Sequence, residues 1–191
     1  MNDVTRRLAF ERLVAAHPTA LVTAVVQAVS QRDFERQEEK SRRALGGAIG
    51  ILRSRGGQVV LVERTGLYAG WALPGGTVES GEPFEDAFRR EIQEEIGVRV
   101  SSAALFLVEN KRLVSPAGDE AVFFLAVFGA AMEEDALPPP TPEALREGLV
   151  AALFRPDELP ASMILGDREK LDLYLAAPLG EVSRASGDAR P

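Results

Sequence analysis

The chain has no cysteine. Disulfides and thiolate metal sites are therefore excluded. Histidine occurs once, at His17 beside Pro18. That position reads as a helix break, which suits a surface or capping role and points away from histidine-dependent chemistry. No apolar run reaches the ~18 residues of a membrane span. The opening residues, Met1-Asn2-Asp3-Val4-Thr5-Arg6-Arg7, lack the apolar core of a signal peptide. A cytoplasmic location is expected by default. Basic charge is also short: 22 Lys and Arg stand against 29 Asp and Glu, for a net charge of −7 and a pI near 4.9. This balance argues against a strong electrostatic grip on nucleic acid. It also calls for a bound cation before a polyphosphate can approach. No internal repeat is visible. What remains is 191 residues, 46% apolar and 27% charged, the make-up of one soluble domain with an extension.

The chemistry is concentrated between Gly75 and Val100, GGTVESGEPFEDAFRREIQEEIGVRV. Pro83 suits the first turn of a helix and places the cap near Glu82. Glu85 and Asp86 sit where the helix dipole favours acids. Phe84, Phe88, Ile92 and Ile96 recur every four residues as an apolar stripe, and Gly97 ends the helix. Glu94 and Glu95 follow Glu91 by three and four positions, so the three carboxylates share a face. Like charges on one turn repel. A hard divalent cation reverses the sign of that interaction, since carboxylate oxygens are what Mg²⁺ and Mn²⁺ prefer. The alternative is a solvated acidic face. Ahead of the helix, Trp71-Ala72-Leu73-Pro74-Gly75-Gly76 is a short apolar segment that breaks into a tight loop, where glycine lets the backbone approach a ligand closely.

Gly76, five residues, Glu82, seven residues, then Arg90-Glu91-Ile92-x-Glu94-Glu95-x-Gly97-Val98 resembles the Nudix box, the signature of the Nudix hydrolases, without a departure. So many fixed positions at fixed spacing are highly specific. The box spans Gly76 to Val98, and family-like features run from about Leu45 to about Pro160. The resemblance implies an α/β fold, the Nudix α/β/α sandwich with a mixed sheet, here preceded by an N-terminal helical extension. It implies that Glu91, Glu94 and Glu95 hold Mg²⁺ or Mn²⁺ with the backbone carbonyl of Gly75, and that Arg90 orients the acidic cluster through ion pairs. Gly75 and Gly76 would line the substrate loop, with Glu82 bracing it. The implied reaction is metal-dependent hydrolysis of the phosphoanhydride of a nucleoside diphosphate linked to another moiety. The base must be a carboxylate in so histidine-poor a chain. Glu94 and Glu95 are candidates within the box, Glu120 and Glu134 outside it. Lys111 and Arg112 are candidate contacts for a phosphate or ribose substituent, or else a solvated loop pair. Tyr68 and Trp71 can stack on a nucleobase, or Trp71 can plug the core.

Along the rest of the chain, residues 3–16 read as a helix. Thr19 to Gln31 reads as a second, because Val22, Val25, Val26 and Val29 follow the i, i+3, i+4, i+7 pattern. That stripe is expected to pack on the catalytic domain or on a second copy, giving a homodimer. The charged run Asp33–Arg43 continues as a solvated helix or linker. Strands are expected at 45–52, 58–63, 98–100, 103–109, 121–128 and 148–154, with a polar loop at 110–120, a stiff proline-rich excursion at 133–147, and a closing helix at 166–176. The domain plan is an extension over 1–44, a Nudix domain over 45–178 and a disordered tail over 179–191. Two readings compete with hydrolysis: a non-catalytic nucleotide sensor and a protein-interaction module.

Overall fold

The computed structural model describes residues 3–65, 69–100, 102–132, 136–164 and 166–177. Tyr68, Glu134 and the tail from Gly180 lie outside them. The elements are α1 (Asp3–Ala16), β1 (Leu21–Ala28), α2 (Gln31–Arg43), β2 (Gly46–Arg53), β3 (Val59–Arg64), β4 (Gly70–Ala72), β5 (Gly75–Val78), α3 (Phe84–Glu95), β6 (Ala103–Val114), β7 (Glu120–Ala131), α4 (Pro142–Glu147), β8 (Val150–Phe154) and α5 (Asp167–Ala176). They form two compact units. One comprises 1–49, 76–87 and 105–127, the other 50–75, 88–104 and 128–191. Strands β2 and β7 run through both.

In the first unit the strands lie in the order β1-β6-β7-β2, with β5 also beside β2. β1 is a strand where a helix over Thr19–Gln31 is expected. It runs parallel to β6, from Leu21 opposite Leu107 to Ala28 opposite Val114. The valine spacing fits a helical stripe by coincidence. The β-branched run Val22, Thr23, Val25, Val26 prefers extended backbone, and β6 supplies a ladder that a helix would forgo. Val22 and Val26 are exposed while Val25 is half-buried, so the valines alternate across a strand instead of sharing one helical face. The same pairing corrects a second expectation. Asn110 to Val114 continues β6 rather than starting a loop, because Ala24 to Ala28 pairs with it. Only 115–119 turns, where Ser115 Oγ accepts the N–H groups of Ala117 and Asp119.

α2 begins at Ser30, whose hydroxyl accepts the N–H of Asp33, as an N-cap should. The pairs Glu38–Arg42 and Glu39–Arg43 at i, i+4 line its outer face. The helix is not wholly solvated: Phe34 and Ser41 are buried. Phe10 of α1 stacks on Phe124 of β7 with ring centroids 4.5 Å apart, and Arg6 Nη1 donates to Ser41 O at 2.6 Å.

In the second unit β3 carries the core. Val59, Val60, Leu61 and Val62 are fully buried. β3 pairs antiparallel with β8 along Val59–Glu63 and with β4 along Val62–Arg64. With the parallel β1–β6 pair, the sheet is mixed. No strand forms at 98–100, whereas Trp71 lies in β4 and Gly75 in β5, flanking Leu73-Pro74 on both sides. The proline-rich excursion contains α4, because Thr141 accepts the N–H of Ala144 and Pro142 occupies the first turn. Phe88 of α3 stacks on Phe128 of β7 at 5.1 Å. Phe88 and Ile92 are fully buried, each contributing roughly 1.5–3 kcal/mol through apolar burial.

A Cβ at Gly50 of β2 would lie 2.1 Å from the Phe88 ring. The missing side chain at position 50 is thus what lets α3 approach so closely. Gly50→Ala is expected to cost about 1–3 kcal/mol by overpacking, read by urea denaturation, and Gly50→Ala combined with Phe88→Leu should recover part of the loss.

The Tyr174 ring of α5 fills the space over Gly129, and burial pushes its hydroxyl pKa up from the ordinary value near 10. A raised pKa means the folded chain holds this proton more tightly. The contribution is complete below about pH 10 and is lost as pH rises through the folded value. Thermal unfolding followed from pH 9 upward should therefore decline less steeply in Tyr174→Phe than in the parent.

Candidate functional site

The site is built on α3. The Ala87 N–H donates to Pro83 O at 3.0 Å in the first turn. At the other end Gly97, at φ 80°, donates to Gln93 O at 3.0 Å, a left-handed stop that favours glycine. Thr141 Oγ1 donates to Glu94 O while capping α4, so the start of α4 is tied to the last turn of α3. The buried stripe fixes the rotation of the helix and leaves Arg90, Glu91, Glu94 and Glu95 on its other flank.

Arg90 Nη1 donates to Glu91 Oε1 at 2.9 Å and to Glu94 Oε2 at 3.1 Å. Glu95 turns the other way and is only 6% exposed. Its Oε2 accepts the Gly75 N–H at 2.8 Å, and its Oε1 accepts Arg64 Nη2 at 2.8 Å. The same Nη2 donates to Gly75 O at 2.8 Å. Gly75 has φ 130°, a conformation that L side chains rarely adopt. This backbone turn presents its N–H to the Glu95 carboxylate and its carbonyl to the Arg64 guanidinium. The Leu73 N–H, two residues earlier, donates to Asp167 Oδ2 at 3.0 Å, so the start of α5 anchors the link between β4 and β5.

Burial raises the pKa of Glu91, against the lowering pull of Arg90. Burial likewise raises that of Glu95, against Arg64 and the Gly75 N–H. With folded values above the ordinary carboxylate range, these two groups favour folding only at low pH. That contribution is lost as pH rises through the raised values.

Oxygen donors of this kind suit a hard cation such as Mg²⁺ or Mn²⁺. One observation bears on the fit: Glu95 Oε1 and Gly75 O already converge on a single positively charged nitrogen, which stands in for a cation. Glu91 and Glu94 are held by Arg90 instead. Among the described residues no three acidic or histidine side chains meet around one point. The donor chemistry fits the metal, and the two further carboxylates lie on the turn that carries Glu95.

The remaining sequence candidates belong to the first unit. Lys111 Nζ lies 3.4 Å from buried Glu109, and Arg112 lies 3.6 Å from Glu120, both exposed. Gly76 follows Gly75 in β5. Glu82 closes the turn before α3, its carboxylate accepting the Glu79 N–H at 3.1 Å. In the second unit Trp71 packs edge-on against Phe154 at 4.7 Å. Arg64, Asp167 and Thr141 escape the sequence reading. Arg64 carries a faint signal, as the arginine that closes β3 after the apolar run Val59–Val62, just before the loop leading to the box.

A family model for the NUDIX domain matches residues 44–174. Over 38 residues the chain is 55% identical to nucleoside triphosphatase NudI of Salmonella heidelberg (strain SL476), covering 19% of this chain and 27% of that protein. Over 62 residues it is 39% identical to 8-oxo-dGTP diphosphatase of Haemophilus influenzae, covering 31% of this chain and 46% of the relative. The chain thus spans less than half the length of these curated relatives. A MutT protein from Bacillus halodurans has a similar fold, with TM-score 0.57 and 22% identity over 69% of this chain and 82% of that one. A MutT NUDIX hydrolase from Burkholderia pseudomallei gives 0.52 and 26%, over 66% and 94%. The fold is accordingly the α/β Nudix fold, a mixed sheet with flanking helices. With most of its length matched by the family model and a complete box on α3, the chain belongs to the NUDIX family.

Proposed function

We propose that this chain hydrolyses the phosphoanhydride bond of a nucleotide derivative, with Mg²⁺ or Mn²⁺, by attack of water on phosphorus. The observation that carries the reading is the convergence of the Gly75 carbonyl and the Glu95 carboxylate on one cationic position, on the helical turn that also carries Glu91 and Glu94. A phosphoanhydride resists hydrolysis because its negative oxygens repel the attacking water. A bound divalent ion supplies charge neutralisation and a more acidic water. Glu91, Glu94, Glu95 and Gly75 O are the ligands in this reading. Arg90 holds Glu91 and Glu94 at fixed angles, and Gly75 fixes Glu95. The proton of the attacking water passes to a carboxylate, with Glu94 or Glu95 in the box and Glu120 outside it as the candidate bases.

The substrate is placed in the class of nucleoside diphosphates linked to another moiety. The names of two partial relatives, a nucleoside triphosphatase and an 8-oxo-dGTP diphosphatase, extend the class worth testing to nucleoside triphosphates. Residues 45–178 are proposed as the catalytic domain, and 1–44 as its extension. Among the described residues no helix is long and apolar enough to cross a membrane.

The test is a panel of nucleoside diphosphate derivatives and triphosphates, incubated with Mg²⁺ or Mn²⁺ and read by phosphate release and product identity. Glu94→Gln and Glu95→Gln should each lower turnover by a factor on the order of 10² or more while circular dichroism stays native. Parent-level turnover in both would refute the site. A panel with no cleavage under either metal would favour nucleotide binding without hydrolysis.

A further inference from the structure

The guanidinium of Arg64 sits where a metal ion would be expected to sit. One nitrogen, Nη2, is 2.8 Å from Gly75 O and 2.8 Å from Glu95 Oε1. These two oxygens come from separate segments, a strand turn and a helix end, and share one positive atom. Arg64 itself ends β3, a rigid strand paired with β4 and β8, and its side chain remains 29% exposed. It is therefore rooted at its Cα in a paired strand, with a side chain that is only partly buried. Glu95 is almost fully buried, and an uncompensated charge there would be costly.

We propose that Arg64 is a built-in counter-cation that occupies the metal seat of the metal-free chain and must be displaced when the ion binds. The inference rests on the metal reading of the site given above. Shared oxygens and like charge set the guanidinium and the ion against each other. A hard dication approaches carboxylate and carbonyl oxygens to about 2.0–2.1 Å. A guanidinium nitrogen hydrogen-bonded to those same two oxygens would then lie against the ion, and the two positive charges repel. The long, partly exposed Arg64 side chain can give way, whereas buried Glu95 and the Gly75 backbone cannot. Arg64 thus keeps the pair of ligands aligned in the metal-free state and competes with the ion for them. It is a positioning residue, with no assigned contact to substrate.

The experiment measures Mn²⁺ binding to the full chain by calorimetry and by electron paramagnetic resonance, with no nucleotide present, in the parent, Arg64→Gln and Arg64→Lys. The parent should bind Mn²⁺, and Arg64→Gln should bind it roughly tenfold tighter, since a competing cation has been removed. Arg64→Lys, which keeps the charge, should remain near the parent. Without metal, Arg64→Gln should melt below the parent, and saturating Mn²⁺ should narrow that gap. A purely structural arginine would leave the gap unchanged. Equal or weaker Mn²⁺ binding by Arg64→Gln overturns the proposal while leaving the metal reading intact. No binding by parent or variant overturns both. Should Arg64→Gln fail to fold, the guanidinium signal of Arg64 in the parent, assigned by its loss in Arg64→Lys, decides the matter. Hindered rotation of that group should vanish on Mg²⁺ saturation, and persistence of the hindered signal refutes displacement.

Discussion

Glu95 is a nearly buried carboxyl group, and the site is shaped by the need to satisfy its two oxygens. Two groups answer that need, one at each oxygen, the Gly75 N–H and the Arg64 guanidinium. Each comes from a segment distant in sequence, so satisfying one carboxylate fixes the end of β3, the start of β5 and the last turn of α3 relative to one another. Hydrogen bonds to a charged group stabilise by roughly 1.5–3 kcal/mol, about twice a neutral one. The geometry is held at the point where charge chemistry would take place, and apolar packing elsewhere keeps it in place. Phe88 and Ile92 set the rotation of the helix, and Gly50 sets its distance.

The acidic turn differs from an ordinary solvated face in how its members are partnered. Glu91 and Glu94 share Arg90, which is on the same helix and moves with them. Glu95 depends on partners outside the helix. The two arginines therefore play unequal parts. One belongs to the family signature and organises carboxylates locally. The other stands outside the signature and ties the helix to the sheet.

Much of this was legible from residue order alone. The box helix could be bounded on both sides because Pro83 and Gly97 act through local backbone rules, and its buried face could be assigned because Phe84, Phe88, Ile92 and Ile96 share one period. The apolar run Val59 to Val62 likewise reads as part of a strand. What the residues did not disclose was pairing. Leu21–Ala28 carries a spacing compatible with a helix, and its identity as a strand is settled only by β6. Once that partner is missed, Asn110–Val114 loses its own and reads as a loop. One long-range contact thus accounts for two local misreadings. Arg64 was overlooked for a related reason: its role is defined by Gly75 and Glu95, and no periodicity links position 64 to either.

The parallel seating of β1 beside β6 has a consequence for how the chain acquires its structure. Leu21 cannot find Leu107 until the intervening chain has been made and brought back. On the ribosome the amino-terminal strand therefore emerges long before its neighbour and waits with its ladder groups unpaired. Contacts of such wide separation slow folding, and domains are generally completed as units. A strand made before its partner is thereby locked in place only after β6 has been made.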